Sequence, residues 1–103
     1  MTESLRIEVS ELADRQIQKA DRWWRENRLK APNAIREELA RIGAMIALRP
    51  SLGARAVNVS LPGVRRVHSE RIHYDVYYRV VGTPEYVEIV AFWGSRRGED
   101  PPI

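Results

Sequence analysis

The chain has 103 residues, of which 44% are hydrophobic and 30% charged, so it has room for one globular domain and none for a second. The absence of cysteine excludes disulfides and thiolate metal sites, and two histidines alone make a poor metal site, so we expect no metal and no cofactor. The net charge is +3, and between residues 49 and 84 arginines outnumber carboxylates, which favours an acidic partner.

Residues 1–15 lack the basic start and the apolar core of a signal peptide. No apolar run approaches the roughly 20 residues that are needed to span a bilayer. We therefore expect a cytoplasmic protein that makes no contact with a membrane.

The first half of the chain predicts one strand followed by two helices. Residues 5–9 alternate apolar and polar side chains, as a strand with one buried face does, and Ser10 then fits the N-cap of a helix. Apolar residues recur at helical spacing in two stretches, which Pro32 separates and Pro50 ends. These residues are Ala13, Ile17, Ala20 and Trp24 in the first stretch and Ile35, Leu39, Ile42 and Ile46 in the second. Trp23 widens the first stripe, so we expect a helical hairpin with both tryptophans in its core.

The second half predicts three strands. Residues 64–68 are a weak strand candidate, residues 72–80 alternate strictly, and residues 86–93 are apolar apart from Glu88, which is typical of a central strand. We expect the apolar residues of the middle strand to face the helices. The residues that alternate with them then lie on the opposite face of the sheet. The buried set is Tyr74, Val76 and Tyr78, and the exposed set is His73, Asp75, Tyr77 and Arg79.

These elements define an α+β fold in the order β-α-α-β-β-β. It is a single small domain in which the helical hairpin packs on one face of an antiparallel sheet, and the other face is expected to be open to solvent. We assign the domain to residues 1–94. Residues 95–103 have no periodicity, which predicts a flexible C-terminal tail.

The open face carries the residues from which chemistry is expected. A surface with arginine, histidine and tyrosine side chains can bind phosphate and can cleave RNA by general acid–base catalysis. The candidates for that chemistry are His68, His73, Arg79 and Arg96. The alternative is a solvated face whose charges pair across strands, with Asp75 bound to an arginine. The sequence has no Ser-His-Asp order, Walker loop, dinucleotide fingerprint or HExxH motif, so it leaves open whether the protein is an enzyme.

Four short motifs, taken in order with the strand and the helical hairpin, resemble the ParE branch of the RelE/ParE toxin superfamily, the toxins of type II toxin–antitoxin systems. The motifs are Arg49-Pro50-Ser51-Leu52-Gly53, Val64-Arg65-Arg66-Val67, Tyr74-Asp75-Val76-Tyr77-Tyr78-Arg79-Val80 and Val90-Ala91-Phe92-Trp93-Gly94-Ser95-Arg96-Arg97. Their order and spacing over nearly the whole chain carry the resemblance. It implies a RelE/ParE-like fold and a protein that inhibits bacterial growth.

Within this superfamily, the resemblance also distinguishes ribonucleases from toxins that act on DNA gyrase. The ribonuclease branch of the superfamily cleaves messenger RNA on the ribosome with basic residues on the sheet face and a C-terminal tyrosine. Asp75 falls where that branch has an arginine, and no tyrosine follows Tyr86. Only the arginine after the last strand has a counterpart, in Arg96 or Arg97. These losses favour the ParE branch, which poisons DNA gyrase, over an endoribonuclease of the RelE type. A domain whose only ligand is an antitoxin is a third alternative.

The resemblance implies two partners. The first is an acidic antitoxin, ParD-like or related, that forms a tight hetero-oligomer with the toxin and binds operator DNA for both. The candidates for contact with the antitoxin are Arg65, Arg66, Asp75, Tyr77 and Arg79. The second partner is DNA gyrase, for which the candidates are Trp93, Arg96 and Arg97 at the start of the tail.

Overall fold

The computed structural model describes residues 3–103, which form two helices and a five-stranded sheet in the order β1-β5-β4-β3-β2. The elements are β1 (Ile7–Val9), α1 (Glu11–Asn27), α2 (Ala34–Leu48), β2 (Ala54–Arg55), β3 (Arg65–Ser69), β4 (Tyr74–Val81) and β5 (Tyr86–Gly94). The predicted α+β fold with a helical hairpin is confirmed, and β5 is central as expected.

The sheet differs from the prediction in two respects. It is antiparallel from β5 to β2, but β1 pairs with β5 in parallel, so the sheet is mixed. Parallel neighbours need a long crossover, and the helical hairpin with the three strands that follow it provides one. The second difference is β2, a two-residue edge strand that is too short to produce a pattern in the sequence.

The predicted cap begins α1, since the Ser10 side chain accepts a hydrogen bond from the Ala13 N–H at 3.1 Å. Asp21 then ties the two helices together, because its Oδ2 lies 3.1 Å from the Arg25 Nε and 3.2 Å from the Arg36 Nε. Within residues 3–103 neither helix is long and apolar enough to cross a bilayer.

The main core lies between the helices and the sheet. The predicted residues Ile35, Ile42, Ile46, Val76 and Tyr78 are buried there, each no more than 1% exposed. Four further residues that the sequence placed in this core are half-buried at its margin. They are Ile17, Trp24, Leu39 and Tyr74.

A second, smaller core covers part of the face that the sequence predicted to be open. Tyr77 is only 1% exposed and packs there with Val64, Val90 and Ala91 under the loop of residues 56–61 and the side chain of Ile103. Asp75, also expected to be exposed, is 8% exposed. Both expectations were wrong. A pattern within one strand does not show that a distant loop folds over Tyr77, or that His68 and Trp93 flank Asp75 on the neighbouring strands.

One unpaired residue in β5 shapes both cores. The register passes from Tyr77 opposite Ala91 to Tyr78 opposite Ile89, which leaves Val90 as a β-bulge. The bulge shifts the alternation of β5 by one residue, so that Ile89 and Phe92 both face the helices.

The end of the chain, predicted to be a flexible tail, has defined contacts. The carbonyl oxygen of Ile103 accepts hydrogen bonds from the N–H groups of Ser60 at 3.0 Å and Leu61 at 2.9 Å. Pro101 is buried. The division at residue 94 and the flexibility of the tail stay predictions, and these contacts show where the tail can dock.

A buried carboxylate links α2 to β3. Glu38 accepts a hydrogen bond from the Ser69 hydroxyl at 2.7 Å and two from the Arg41 guanidinium, at 2.9 and 3.1 Å. The bonds from Arg41 lower the pKa of Glu38 most, the Ser69 bond and the charge of Arg71 lower it further, and burial opposes them. The charged form of Glu38 is therefore the one that stabilises the fold.

We expect Ile42→Ala to lower the free energy of unfolding by about 2–5 kcal/mol, because it leaves a cavity in the main core. Urea unfolding at neutral pH measures the loss. Met45→Ala on the same helix is the control, since Met45 is 36% exposed and its truncation is expected to cost roughly 1 kcal/mol or less. Equal losses in the two variants would contradict the described packing of α2.

We expect Glu38→Gln to destabilise the protein by about 1–2 kcal/mol at pH 7, because it weakens hydrogen bonds to a charged acceptor. The pKa of Glu38 is lower in the folded than in the unfolded chain, so its stabilisation is complete above the ordinary value of 4.5 and is lost as the pH falls through the lowered pKa. The difference between wild type and variant, measured by urea unfolding, should therefore shrink in acid. A difference that is the same at pH 7 and in acid would contradict the role of the charge.

Candidate functional site

A groove of about 610 Å³ lies between the second half of α1 and the end of the sheet where β4 begins and β5 ends. Residues from three parts of the chain line it. In and just after α1 these include Lys19, Ala20, Trp23, Trp24 and Arg28, before and at the start of β4 Ile72, His73 and Tyr74, and at the end of β5 and just after it Phe92, Trp93, Arg96 and Arg97.

The floor of the groove is rigid and aromatic. The rings of Tyr74 and Phe92 stack with centroids 4.5 Å apart and planes 8° from parallel. Trp24 meets Trp23 edge-on at 6.1 Å. Phe92 reaches this floor because the bulge at Val90 turns it toward the helices.

The rim of the groove is cationic. Arg28 lies over the Trp23 ring at 5.0 Å, and Arg97 lies over the Trp93 ring at 4.1 Å. Lys19 and Arg96 add two further positive charges, and no carboxylate is among the described residues that line the groove. Such a surface attracts an acidic partner and offers ring faces on which apolar or planar groups can stack.

One tryptophan of the groove occupies a position that the sequence did not predict, and a second makes a contact with the tail that no pattern indicated. Trp23 was expected in the core but is 47% exposed at the edge of the groove. Trp93 donates its indole N–H to the Glu99 carbonyl at 2.9 Å, which holds the tail against the end of β5. The contribution of α1 to this groove was missed, although Lys19 and Trp23 are four residues apart and therefore share a helix face.

The candidates for contact with the target come together at this groove. Trp93, Arg96 and Arg97 all line it, and the Arg96 Nη2 lies 3.1 Å from His73 Nε2. His73 does not lie within a strand as predicted. Its φ of 57° places it in a turn before β4, where Ser69 accepts its N–H and Ser95 donates to its carbonyl oxygen.

The candidates for contact with the antitoxin are spread over the sheet. Arg66 is exposed, whereas Arg65 donates to the Gly53 carbonyl at 2.7 Å and Tyr77 is buried beneath the loop of residues 56–61. Arg79 pairs with Glu88 directly opposite it on β5, with Nε and Oε1 2.9 Å apart. Of these residues, Arg66 is the one most accessible to a partner.

Within residues 3–103 Asp75 pairs with a histidine and with no arginine, contrary to the prediction. Its carboxylate lies 2.8 Å from the Nδ1 of His68, the residue opposite it on β3.

The turn between β3 and β4 brings Glu70 and His73 near His68. One nitrogen or oxygen atom of each of these three side chains lies within 4.8 Å of the others. The sequence predicted no metal site, because two histidines five residues apart carry no such signal without the turn between them.

A second, apolar groove of about 310 Å³ runs between the helices and the edge strand β1. Ile17, Leu39 and the small residues Ala40, Gly43 and Ala44 line it on the helices, and Ile7, Val9 and Ile89 line it on the sheet. Val9 is 44% exposed there. The groove lies beside an unpaired strand edge, the arrangement to which a partner can add a strand or a helix.

The described chain is thus a small α+β domain with one cationic aromatic groove and one apolar groove. The sequence model of the ParE toxin family, the ParE toxin of the type II toxin–antitoxin system parDE, matches residues 7–98. The chain belongs to this family.

A solved structure of the chromosomal ParDE toxin–antitoxin system from P. aeruginosa has a similar fold. The TM-score is 0.62, with 20% identical residues, and the match covers 88% of this chain and 96% of that chain. At this identity the similarity concerns the fold alone. No curated protein matches the chain at a significant level.

Proposed function

We propose that this chain is the toxin of a type II toxin–antitoxin pair, that it stops growth by binding DNA gyrase, and that an acidic antitoxin neutralises it. The observation that carries the proposal is the family match over residues 7–98. The solved structure with a similar fold comes from a ParDE system, which supports a partner of the antitoxin class.

The cationic aromatic groove is the best candidate for the contact with gyrase. It brings Trp93, Arg96 and Arg97 together with Trp23 of α1 on one accessible surface. Tryptophan and arginine are among the residue types that contribute most of the binding energy at protein interfaces, and Trp23 is 47% exposed. Among the residues that the structure describes, this groove shares no lining residue with the apolar groove beside β1.

The geometry supports binding over RNA cleavage. The proposed nuclease residues do not all lie close together. Asp75 lies beside His68, and Arg79 is four residues along β4 from Asp75, a distance of about 13 Å at the rise of a strand. Arg79 is also neutralised by Glu88, and His68 lies beside the carboxylate of Asp75. A carboxylate at this position repels a phosphate, so the arrangement is poorly suited to an RNA backbone.

The apolar groove beside β1 is the best candidate for the antitoxin. Its small residues allow close approach of a helix, and the edge of β1 offers backbone groups for an added strand. The arginines of residues 49–79 supply a positive field that attracts an acidic chain, and Arg66 is the exposed member of that set on β3.

We expect the double variant Arg96→Glu and Arg97→Glu to lose growth inhibition and to bind gyrase at least tenfold more weakly. The reason is that it reverses the charge of the cationic rim and removes the contact of Arg97 with Trp93. Binding to immobilised gyrase and growth after induced expression measure the two effects.

The matched control is the double variant Arg49→Glu and Arg55→Glu, which changes the net charge equally at exposed positions outside the groove. It should retain both activities. If both double variants lost activity to the same extent, total charge and no particular surface would explain the toxicity.

We expect Arg66→Glu to weaken binding of the antitoxin by roughly three- to tenfold at low salt and to flatten the dependence of affinity on salt concentration. Arg66→Gln should have a smaller effect in the same direction, since it removes the charge without reversing it. Arg79 is a poorer probe because its substitution also releases Glu88. Titrations at several salt concentrations measure the effect, and unchanged affinity in both Arg66 variants would contradict the electrostatic contribution.

A further inference from the structure

The turn between β3 and β4 gathers three groups that commonly bind metal ions. His68 lies one residue before the end of β3, Glu70 lies in the turn, and His73 precedes β4, with one donor atom of each within 4.8 Å of the others. We propose that His68, Glu70 and His73 form a binding site for a divalent transition-metal ion, with Zn²⁺ as the ion that best fits these donors. The proposal concerns a different property from the binding of gyrase and does not depend on it.

The surroundings of His68 are those of a metal ligand. Its Nδ1 lies 2.8 Å from the Asp75 Oδ1, and a carboxylate only accepts, so Nδ1 carries a proton and Nε2 is the nitrogen that can bind a metal ion, through its lone pair in the neutral form of the ring. A carboxylate behind the ring fixes its orientation, as second neighbours of metal-bound histidines do. The Nε2 lies 3.3 Å from the Glu70 Oε1.

His73 is held in place from both sides of the turn. Its N–H donates to the Ser69 carbonyl at 2.8 Å, and its carbonyl oxygen accepts from the N–H and the hydroxyl of Ser95, both at 2.9 Å. Because Arg96 can only donate, His73 Nε2 is the acceptor in their contact at 3.1 Å, and a metal ion bound at that lone pair would take the place of Arg96. The same guanidinium places a positive charge beside the site, so Arg96 opposes the binding of a cation.

The spacing of the donors suits a small tetrahedral ion after a modest adjustment. Bonds of about 2.0–2.1 Å to nitrogen and oxygen place neighbouring ligands about 3.4 Å apart, a spacing that His68 and Glu70 already have. Glu70 is exposed and can move, and the third donor must approach by at most 1.4 Å from the 4.8 Å limit. Two imidazoles and a carboxylate favour Zn²⁺ over the oxygen-seeking Mg²⁺ and Ca²⁺, and the fourth position stays open for water.

Titration of the purified full chain with Zn²⁺ by calorimetry tests the proposal, and the visible absorption of bound Co²⁺ reports coordination directly. We expect one ion per chain, with affinity reduced at least tenfold by His68→Gln, by Glu70→Gln and by His73→Asn. Asparagine is chosen for position 73 because it tolerates the positive φ. Asp75→Asn removes no ligand and should still weaken binding about tenfold, whereas Arg96→Ala should strengthen it.

Glu85→Gln is the matched control, since it neutralises an exposed carboxylate in another turn. It should leave the affinity for Zn²⁺ unchanged. Unfolding of each variant, measured in the presence of a chelator, shows whether that variant is folded. If His73→Asn does not fold, His68→Gln provides the test, because it changes an exposed position on a strand. Wild-type affinity in folded His68→Gln, or equal losses in Glu70→Gln and Glu85→Gln, would overturn the proposal.

Discussion

The pairing of β4 with β5 contains one unpaired residue, Val90, and this bulge decides which side chains of β5 reach each face of the sheet. Ile89 packs against the helices before the bulge, and Phe92 does so after it, because the alternation has shifted by one residue. The start of α1 binds the backbone that the bulge exposes. The Ser10 hydroxyl lies 3.4 Å from the Val90 carbonyl oxygen, and Gln16 accepts the N–H of Phe92 at 2.8 Å. The helix and the irregular strand therefore fix each other's position.

The surfaces proposed for function follow from this arrangement. With Phe92 turned toward the helices, its ring stacks on Tyr74 and forms the floor of the cationic groove, while Trp93 holds the tail at its rim. The turn before β4 then places His73 beside Arg96 at the same end of the sheet. The metal ion that we propose for the histidines and the gyrase contact that we propose for the cationic groove thus meet at Arg96, which lines the groove and opposes the binding of a cation.

Local patterns in the sequence predicted the helices, the cap at Ser10 and the register of β4, because each depends on periodicity within one element. The bulge was not predictable, since residues 86–93 are almost wholly apolar and show no change of alternation. The burial of Tyr77 depends on a loop and a C-terminus that are distant in sequence. Trp93, Arg96 and Arg97 were predicted from the family resemblance, but the share of Trp23 in their groove required the packing of α1 on the sheet.

We propose that this chain acts on gyrase through a protein interface. The test adds the purified chain to a gyrase supercoiling reaction and, in parallel, to a cell-free translation reaction in which the length of the messenger RNA is followed. We expect supercoiling to stop while translation proceeds and the messenger RNA stays intact. Cleaved messenger RNA together with undisturbed supercoiling would contradict it.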